Sequence, residues 1–299
     1  SAEETYDATG LHVIPGVIDS QVHFREPGLE HKEDIAHGTK AAIKGGVTSI
    51  FEMPNTSPLT LDQQTLTAKL ERAEQTAWCD YAFFMGGNSE NAEHLAELER
   101  LPGCAGVKIF MGSSTGTLLA KDDEVIADVL ANGVRRVSVH AEDEDRLISR
   151  QNIAIEAEDP EAHPDWRDVE SAVRATTRLV KLARKANRRV HVLHISSKDE
   201  MEILAKHKDL MSVEVTLNHL TLSAPDCYER LGAFAQMNPP VRDLDHQMGL
   251  WAAIQNGIVD VIGSDHAPHT IEEKERPYPS SPSGMPGVQT SLPLLLNHM

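Results

Sequence analysis

Residues 258–269 concentrate the chemistry of this sequence. A mostly apolar run, 258–262, ends abruptly in Gly263-Ser264-Asp265-His266-Ala267-Pro268-His269. A carboxylate delivered by the end of a buried strand can bind a metal or move a proton, and a histidine four residues on can face a substrate. Taken alone, the stretch reads more simply as a strand followed by a solvated, charged loop. Other apolar runs end in the same way, however. His23 follows the run 13–18, Lys108 sits inside 105–110, His140 closes 136–139 and His194 follows 190–193. Each has a bland account by itself, as a backbone-satisfied histidine or a lysine paired with a carboxylate. Together they bring nitrogen and oxygen donors from five strands. Imidazole and carboxylate suit zinc and related divalent ions. Water activated by such an ion loses its proton near pH ~7, and an aspartate beside it can pass that proton to a leaving group.

Those side chains need elements that converge. Strand-like runs at 13–18, 47–53, 81–85, 105–110, 136–139, 190–193, 212–215 and 258–262 alternate with helical patterns at 34–44, 61–77, 92–101, 122–130, 169–186, 198–206 and 243–255. Gly45-Gly46 stops the first helix, a polar connection surrounds Pro160 and Pro164, and 284–299 reads as loop into helix. About eight strand–helix units, with polar residues just after the strands, predict a (β/α)8 barrel with its site at the C-terminal mouth. A doubly wound sheet is the weaker choice, because no G-x-G-x-x-G follows the first strand. Residues 270–287, rich in charge, Pro and Ser, are expected to form a mobile loop over the mouth.

Composition narrows the function classes. The chain has 299 residues, 40% hydrophobic and 25% charged, enough for one large core. No run approaches the ~20 apolar residues of a membrane span, and the acidic, polar residues 1–9 do not read as a signal peptide. A net charge of −18 argues against nucleic acid or an anionic membrane surface as partner. Cys79, Cys104 and Cys227 are odd in number and far apart, so a cytoplasmic location is expected rather than a disulfide framework or a Cys-type zinc site.

Seven motifs then occur in one order: Asp19-x-Gln-x-His23-Phe-Arg25-Glu-Pro-Gly, Met53-Pro-Asn55-Thr56, Gly106-Val-Lys108-Ile-Phe, Val139-His140-Ala-Glu142, Leu193-His194-Ile-Ser, Asn238-Pro-Pro-x-Arg242 and Gly263-Ser-Asp265-His-Ala-Pro-His269-Thr. In these the sequence resembles the dihydroorotases of the amidohydrolase superfamily, over residues 15–296. The resemblance implies a TIM-like barrel of the metal-dependent hydrolase type that interconverts dihydroorotate and N-carbamoyl-L-aspartate in de novo pyrimidine biosynthesis. It implies one or two Zn2+ ions, with Lys108 carboxylated as a bridging ligand. His140 and His194 would bind the more exposed ion, His23 and Asp265 the more buried one, and Asp265 would also shuttle the proton. Arg25, Asn55 and His269 would take the substrate carboxylate. Asn238 and the backbone near Pro286-Gly287 would meet the ring. A homo-oligomer is expected, with aspartate transcarbamoylase as a possible protein partner.

The sequence departs from the family pattern at Gln21, where an imidazole is usual; a neutral carbonyl oxygen there would ligate weakly or leave a single-metal site. Leu217-Asn218-His219 also departs, and no metal role is assigned to it. The family's small β-rich domain would be represented by residues 1–12 only, with 13–299 forming a barrel cut short at its C-terminal end. Two other readings compete. An allantoinase- or hydantoinase-type amidase would have no carboxylate for Arg25 to bind. A non-catalytic partner of aspartate transcarbamoylase would have no need for Lys108, His140, His194 and Asp265.

Overall fold

The computed structural model describes residues 4–113 and 118–298. Eight parallel strands lie in chain order: β1 (Val17–Val22), β2 (Val47–Glu52), β3 (Asp80–Gly86), β4 (Cys104–Phe110), β5 (Val137–His140), β6 (Val190–Val192), β7 (Met211–Thr216) and β8 (Val261–Gly263). The sheet returns on itself past the end of β8. Val22 bridges His266 in parallel, and the His23 N–H donates to the His266 carbonyl at 2.7 Å. The Asp19 carboxylate assists this closure by accepting from the Ser264 N–H at 3.1 Å. The result is the (β/α)8 barrel expected from the sequence.

Alternation along the strands sets the two faces. On β4, Val107 and Ile109 enter the apolar cluster under the helices, while Lys108 between them does not. On β5, Val137 and Val139 do the same around Ser138, and on β7 Val213 and Val215 flank Glu214. The intervening side chains are also buried: Lys108, Ser138, His140, Glu214 and Thr216 are each at most 4% exposed. Hydrophobic burial is thus carried by the outer layer, and the barrel interior is free to hold polar chemistry.

The helices are fixed at their starts by side-chain caps. Asp34 caps Ile35–Lys44, Asp62 with Thr65 forms a capping box on Gln63–Thr76, and Asp168 caps Val169–Ala186. The last of these lays Ala172, Ala175, Leu179 and Ala183 against the barrel.

The structure differs from the sequence reading in several elements. The first strand starts at Val17; Val13 and Ile14 precede the sheet and are exposed. The stretch between β5 and the polar connection around Pro160 contains a helix, Glu144–Ala157, that is not among the helical patterns read from the sequence. Its buried positions, Leu147 and Ala154, are sparse, while Ile148 and Ile155 face solvent, so the apolar period is blurred. The predicted helix at 92–101 is a short 3-10 turn, Ala92–His94, running into Leu95–Leu98. Residues 4–12 carry a turn and no strand. The first three residues of the segment 1–12, and Met299 at the end of the last predicted helix, lie outside the described residues.

Candidate active site

The C-terminal ends of the strands bring the predicted residues into two pairs with a lysine beneath them. His140 ends β5 and His194 lies two residues beyond β6; His140 Nδ1 and His194 Nε2 face each other at 3.0 Å. The other nitrogen of His140 is committed, since Nε2 donates to Glu142 Oε2 at 2.9 Å. Glu142 accepts because it is anionic. Burial works against that charge, but the guanidinium of Arg167, 2.5 Å from Oε2, and the His140 contact hold its carboxyl well below the usual range. The carboxylate therefore fixes which His140 nitrogen keeps a lone pair, as carboxylates commonly do for metal-binding histidines. His194 is held in the left-handed region at φ 38°, and its buried Nδ1 has no partner among the described residues.

The second pair closes the barrel seam. His23 Nε2 is 3.3 Å from Asp265 Oδ1, and the His23 Nδ1–H donates to Asn55 Oδ1 at 2.8 Å. Asp265 has φ 48°, the strained turn that aims its carboxylate inward. Gln21 donates its Nε2–H to the same Oδ1 at 2.9 Å, and its own Oε1 is buried without a hydrogen bond among the described residues. Lys108 Nζ is fully buried, 4.4 Å above the Phe110 ring, and makes no hydrogen bond among the described residues. Burial pulls this amine down to about 7, against the pull of Asp265 and Glu214.

At the rim lies the predicted carboxylate pocket. Arg25, at φ 63° and 2% exposed, donates from Nε to the Pro268 carbonyl at 3.0 Å, with Nη2 3.3 Å from His269 Nε2. Burial lowers Arg25 only to about 10, so it stays cationic. His269 is held from three sides. Lys32 Nζ is 3.0 Å from Nδ1, the Ser283 carbonyl is 3.0 Å from Nε2, and Gly284, at φ 148°, packs so close that a Cβ there would lie 2.9 Å from the ring. Asn238 is buried and bonded to His163, whose Nε2 lies 2.9 Å from its Oδ1. The segment 270–287 is pinned by Lys274, whose ammonium donates to the carbonyls of Gln236, Pro282 and Gly284.

The amidohydrolase family profile matches residues 12–286. The chain belongs to the amidohydrolase family. Among curated proteins it is 35% identical to a dihydroorotase of Methanosarcina acetivorans, over 99% of this chain and 65% of that protein. It is 37% identical to a dihydroorotase of Pyrococcus abyssi, over 96% of this chain and 63% of that protein. The chain thus spans somewhat under two thirds of the length of these relatives. Among solved structures, the L-hydantoinase (dihydropyrimidinase) from Arthrobacter aurescens superposes with a TM-score of 0.92 at 29% identity, covering 99% of this chain and 68% of that one.

Amidohydrolases are generally metal-dependent, and the donors here fit that chemistry in one specific way. Among the described residues, no three His, Cys, Asp or Glu side chains stand together as a ready cluster. The donors come as two pairs, and the Lys108 amine, buried and without a hydrogen bond among the described residues, lies close enough to both to act on His23, His140 and His194 electrostatically. A bare amine does not bridge two sites; a carbamate on Nζ would present two oxygens, and its formation needs the neutral amine that burial favours.

Several residues here were not assigned a role from sequence. Glu142 carries a signal, a carboxylate two residues past a strand-end histidine. Arg167, Lys32, His163 and Gly284 carry none, because their roles depend on loops meeting in space. His219 is a structural histidine: its nitrogens engage Thr216 Oγ1 at 2.8 Å and the Pro239 carbonyl at 3.0 Å. Gly287, placed near the ring by resemblance, has its N–H committed to His266 Nδ1 at 3.0 Å.

Proposed function

We propose that this chain is the barrel of a dihydroorotase, a zinc-dependent amidohydrolase interconverting dihydroorotate and N-carbamoyl-L-aspartate in de novo pyrimidine biosynthesis. The observation that carries the choice of substrate is Arg25. A buried, charged guanidinium beside His269 and Lys32 at the mouth of the barrel matches a ring carboxylate. Hydantoins and allantoin have none to offer it.

His140, His194, His23 and Asp265, with carboxylated Lys108, would hold one or two divalent ions. Such ions would polarise the amide carbonyl and activate water at neutral pH. Asp265 is the proton carrier. It takes the proton of the attacking water and gives it to the departing ring nitrogen, and in the reverse direction it runs the same transfers backwards. Gln21 and His23 both contact its Oδ1, which leaves Oδ2 as the oxygen free to move protons. Arg25 orients the ring by its carboxylate, and Asn238 meets the ring on the far side.

A cytoplasmic setting agrees with three free cysteines, and no helix among the described residues is long and apolar enough to cross a membrane. The test is hydrolysis of dihydroorotate by the purified full-length protein with added zinc, followed by loss of ring absorbance. Turnover well above buffer is expected. A folded, zinc-loaded protein without turnover would favour the non-catalytic reading, which co-purification with aspartate transcarbamoylase would then test.

A further inference from the structure

We infer that His163 is a positioning residue of the substrate pocket: it turns the Asn238 side-chain amide so that only its NH2 group faces the ligand. Asn238 then selects rings that present a carbonyl oxygen at that place. The inference rests on the reading above that Asn238 meets the substrate ring.

Which atoms can donate decides the orientation of the amide. His163 opens the short helix His163–Trp166 and is 0% exposed. Its Nε2 lies 3.0 Å from the Met237 carbonyl and 2.9 Å from the Asn238 amide. A main-chain carbonyl only accepts, so Nε2 must carry the hydrogen. The Asn238 atom that shares this hydrogen must then be Oδ1. The remaining ring nitrogen, Nδ1, has a lone pair and accepts from the Tyr278 hydroxyl at 3.3 Å. Burial pushes His163 down to about 3, so the ring stays neutral and its single N–H is not duplicated.

The consequence falls on Nδ2 of Asn238. No hydrogen bond among the described residues engages it, and Asn238 lines a cavity of about 330 Å³ together with Arg167, Ser113 and Ser283. With Oδ1 taken by His163, the side chain can offer the cavity only donors. An amide free to flip would accept from a ring N–H as readily as donate to a ring C=O, and would not discriminate. Tyr278 extends the arrangement into the segment 270–287, the same segment that supplies the Ser283 carbonyl to His269. His163 and His269 are thus both tied to one stretch of chain.

Three variants of the full-length holoenzyme, assayed with dihydroorotate, test this. His163→Phe removes the donor and should raise KM about tenfold with kcat changed less than about threefold. His163→Gln restores a donor near the position of Nε2 and should recover most of that loss. Asn238→Asp keeps an acceptor for His163 but replaces the NH2 by a second acceptor, and should raise KM at least as much while the thermal midpoint stays at the wild-type value. An unchanged KM in Asn238→Asp overturns the inference, and so does a His163→Gln variant no better than a folded His163→Phe. If His163→Phe does not fold, Asn238→Asp still decides. Selective 15N-histidine NMR gives a readout independent of turnover: a protonated Nε2 on His163 is expected, and a protonated Nδ1 overturns the inference. Wild-type protein that binds zinc but does not turn over dihydroorotate would instead defeat the functional reading, leaving the NMR result to judge His163.

Discussion

Gln21 and Asp265 stand on opposite sides of the barrel seam, and the Gln21 Nε2–H donates to Asp265 Oδ1 at 2.9 Å. The residue that departs from the family pattern is therefore bonded to the residue proposed to carry the proton. The same geometry leaves Gln21 Oε1 buried and without a hydrogen bond among the described residues. Glutamine here restrains the aspartate with its nitrogen and offers the barrel interior a weak, neutral oxygen donor.

Gln21→His exchanges that oxygen for an imidazole. Affinity at the more buried position is expected to tighten about tenfold. Metal retained after dialysis, measured by elemental analysis, checks it. Equal stoichiometry in both proteins would mean that Gln21 Oε1 already serves as a full ligand.

Asp265→Asn retains size and the possibility of hydrogen bonding but cannot take a proton. Loss of positioned acid–base catalysis predicts a fall in kcat of about a hundredfold to ten-thousandfold. Circular dichroism should show an unchanged barrel. An active Asn variant would remove Asp265 from proton transfer.

Arg25→Met keeps the buried stem and deletes the charge. Losing charge-assisted hydrogen bonds to a carboxylate predicts a rise in KM for dihydroorotate of about 10- to 100-fold. Any residual turnover of hydantoin, which lacks that carboxylate, should be little affected. Equal losses on both substrates would show that Arg25 holds the loop rather than the substrate.

Glu52 and Lys69 form an ion pair buried on both sides, each 1% exposed at the side chain. Burial raises Glu52 to about 7 even against the pull of Lys69. Lys69→Met should cost about 3 kcal/mol by leaving a buried carboxylate unpaired, and Glu52→Gln on top should recover part of it. In Lys69→Met the folded-state value of Glu52 lies above its ordinary 4.5, so the folded protein holds the extra proton. The Glu52 contribution to the variant's stability should then be fullest below about 4.5 and be lost as pH rises through the raised value, read as the difference from wild type. Denaturant melts across that range check the sign; stability rising with pH would contradict it.

The sequence by itself determined the barrel and named its candidate donors. Period-2 alternation at Val107-Lys108-Ile109 and Val137-Ser138-Val139 commits one face of each strand to the helices and the other to the interior. Strands of a parallel barrel end at one mouth, so His23, Lys108, His140, His194 and Asp265 were expected toward that end. The helix Glu144–Ala157 stayed hidden because Ile148 and Ile155 face solvent and break its apolar stripe. Only the tertiary structure decided which atoms of the donors are free. Glu142 takes one nitrogen of His140, Asn55 one of His23 and His163 the oxygen of Asn238; their partners Arg167 and Tyr278 arrive from loops far along the chain. A hydrogen bond fixes tautomer and amide orientation through angles and distances of a few tenths of an ångström, and no spacing of residue types along a chain encodes that.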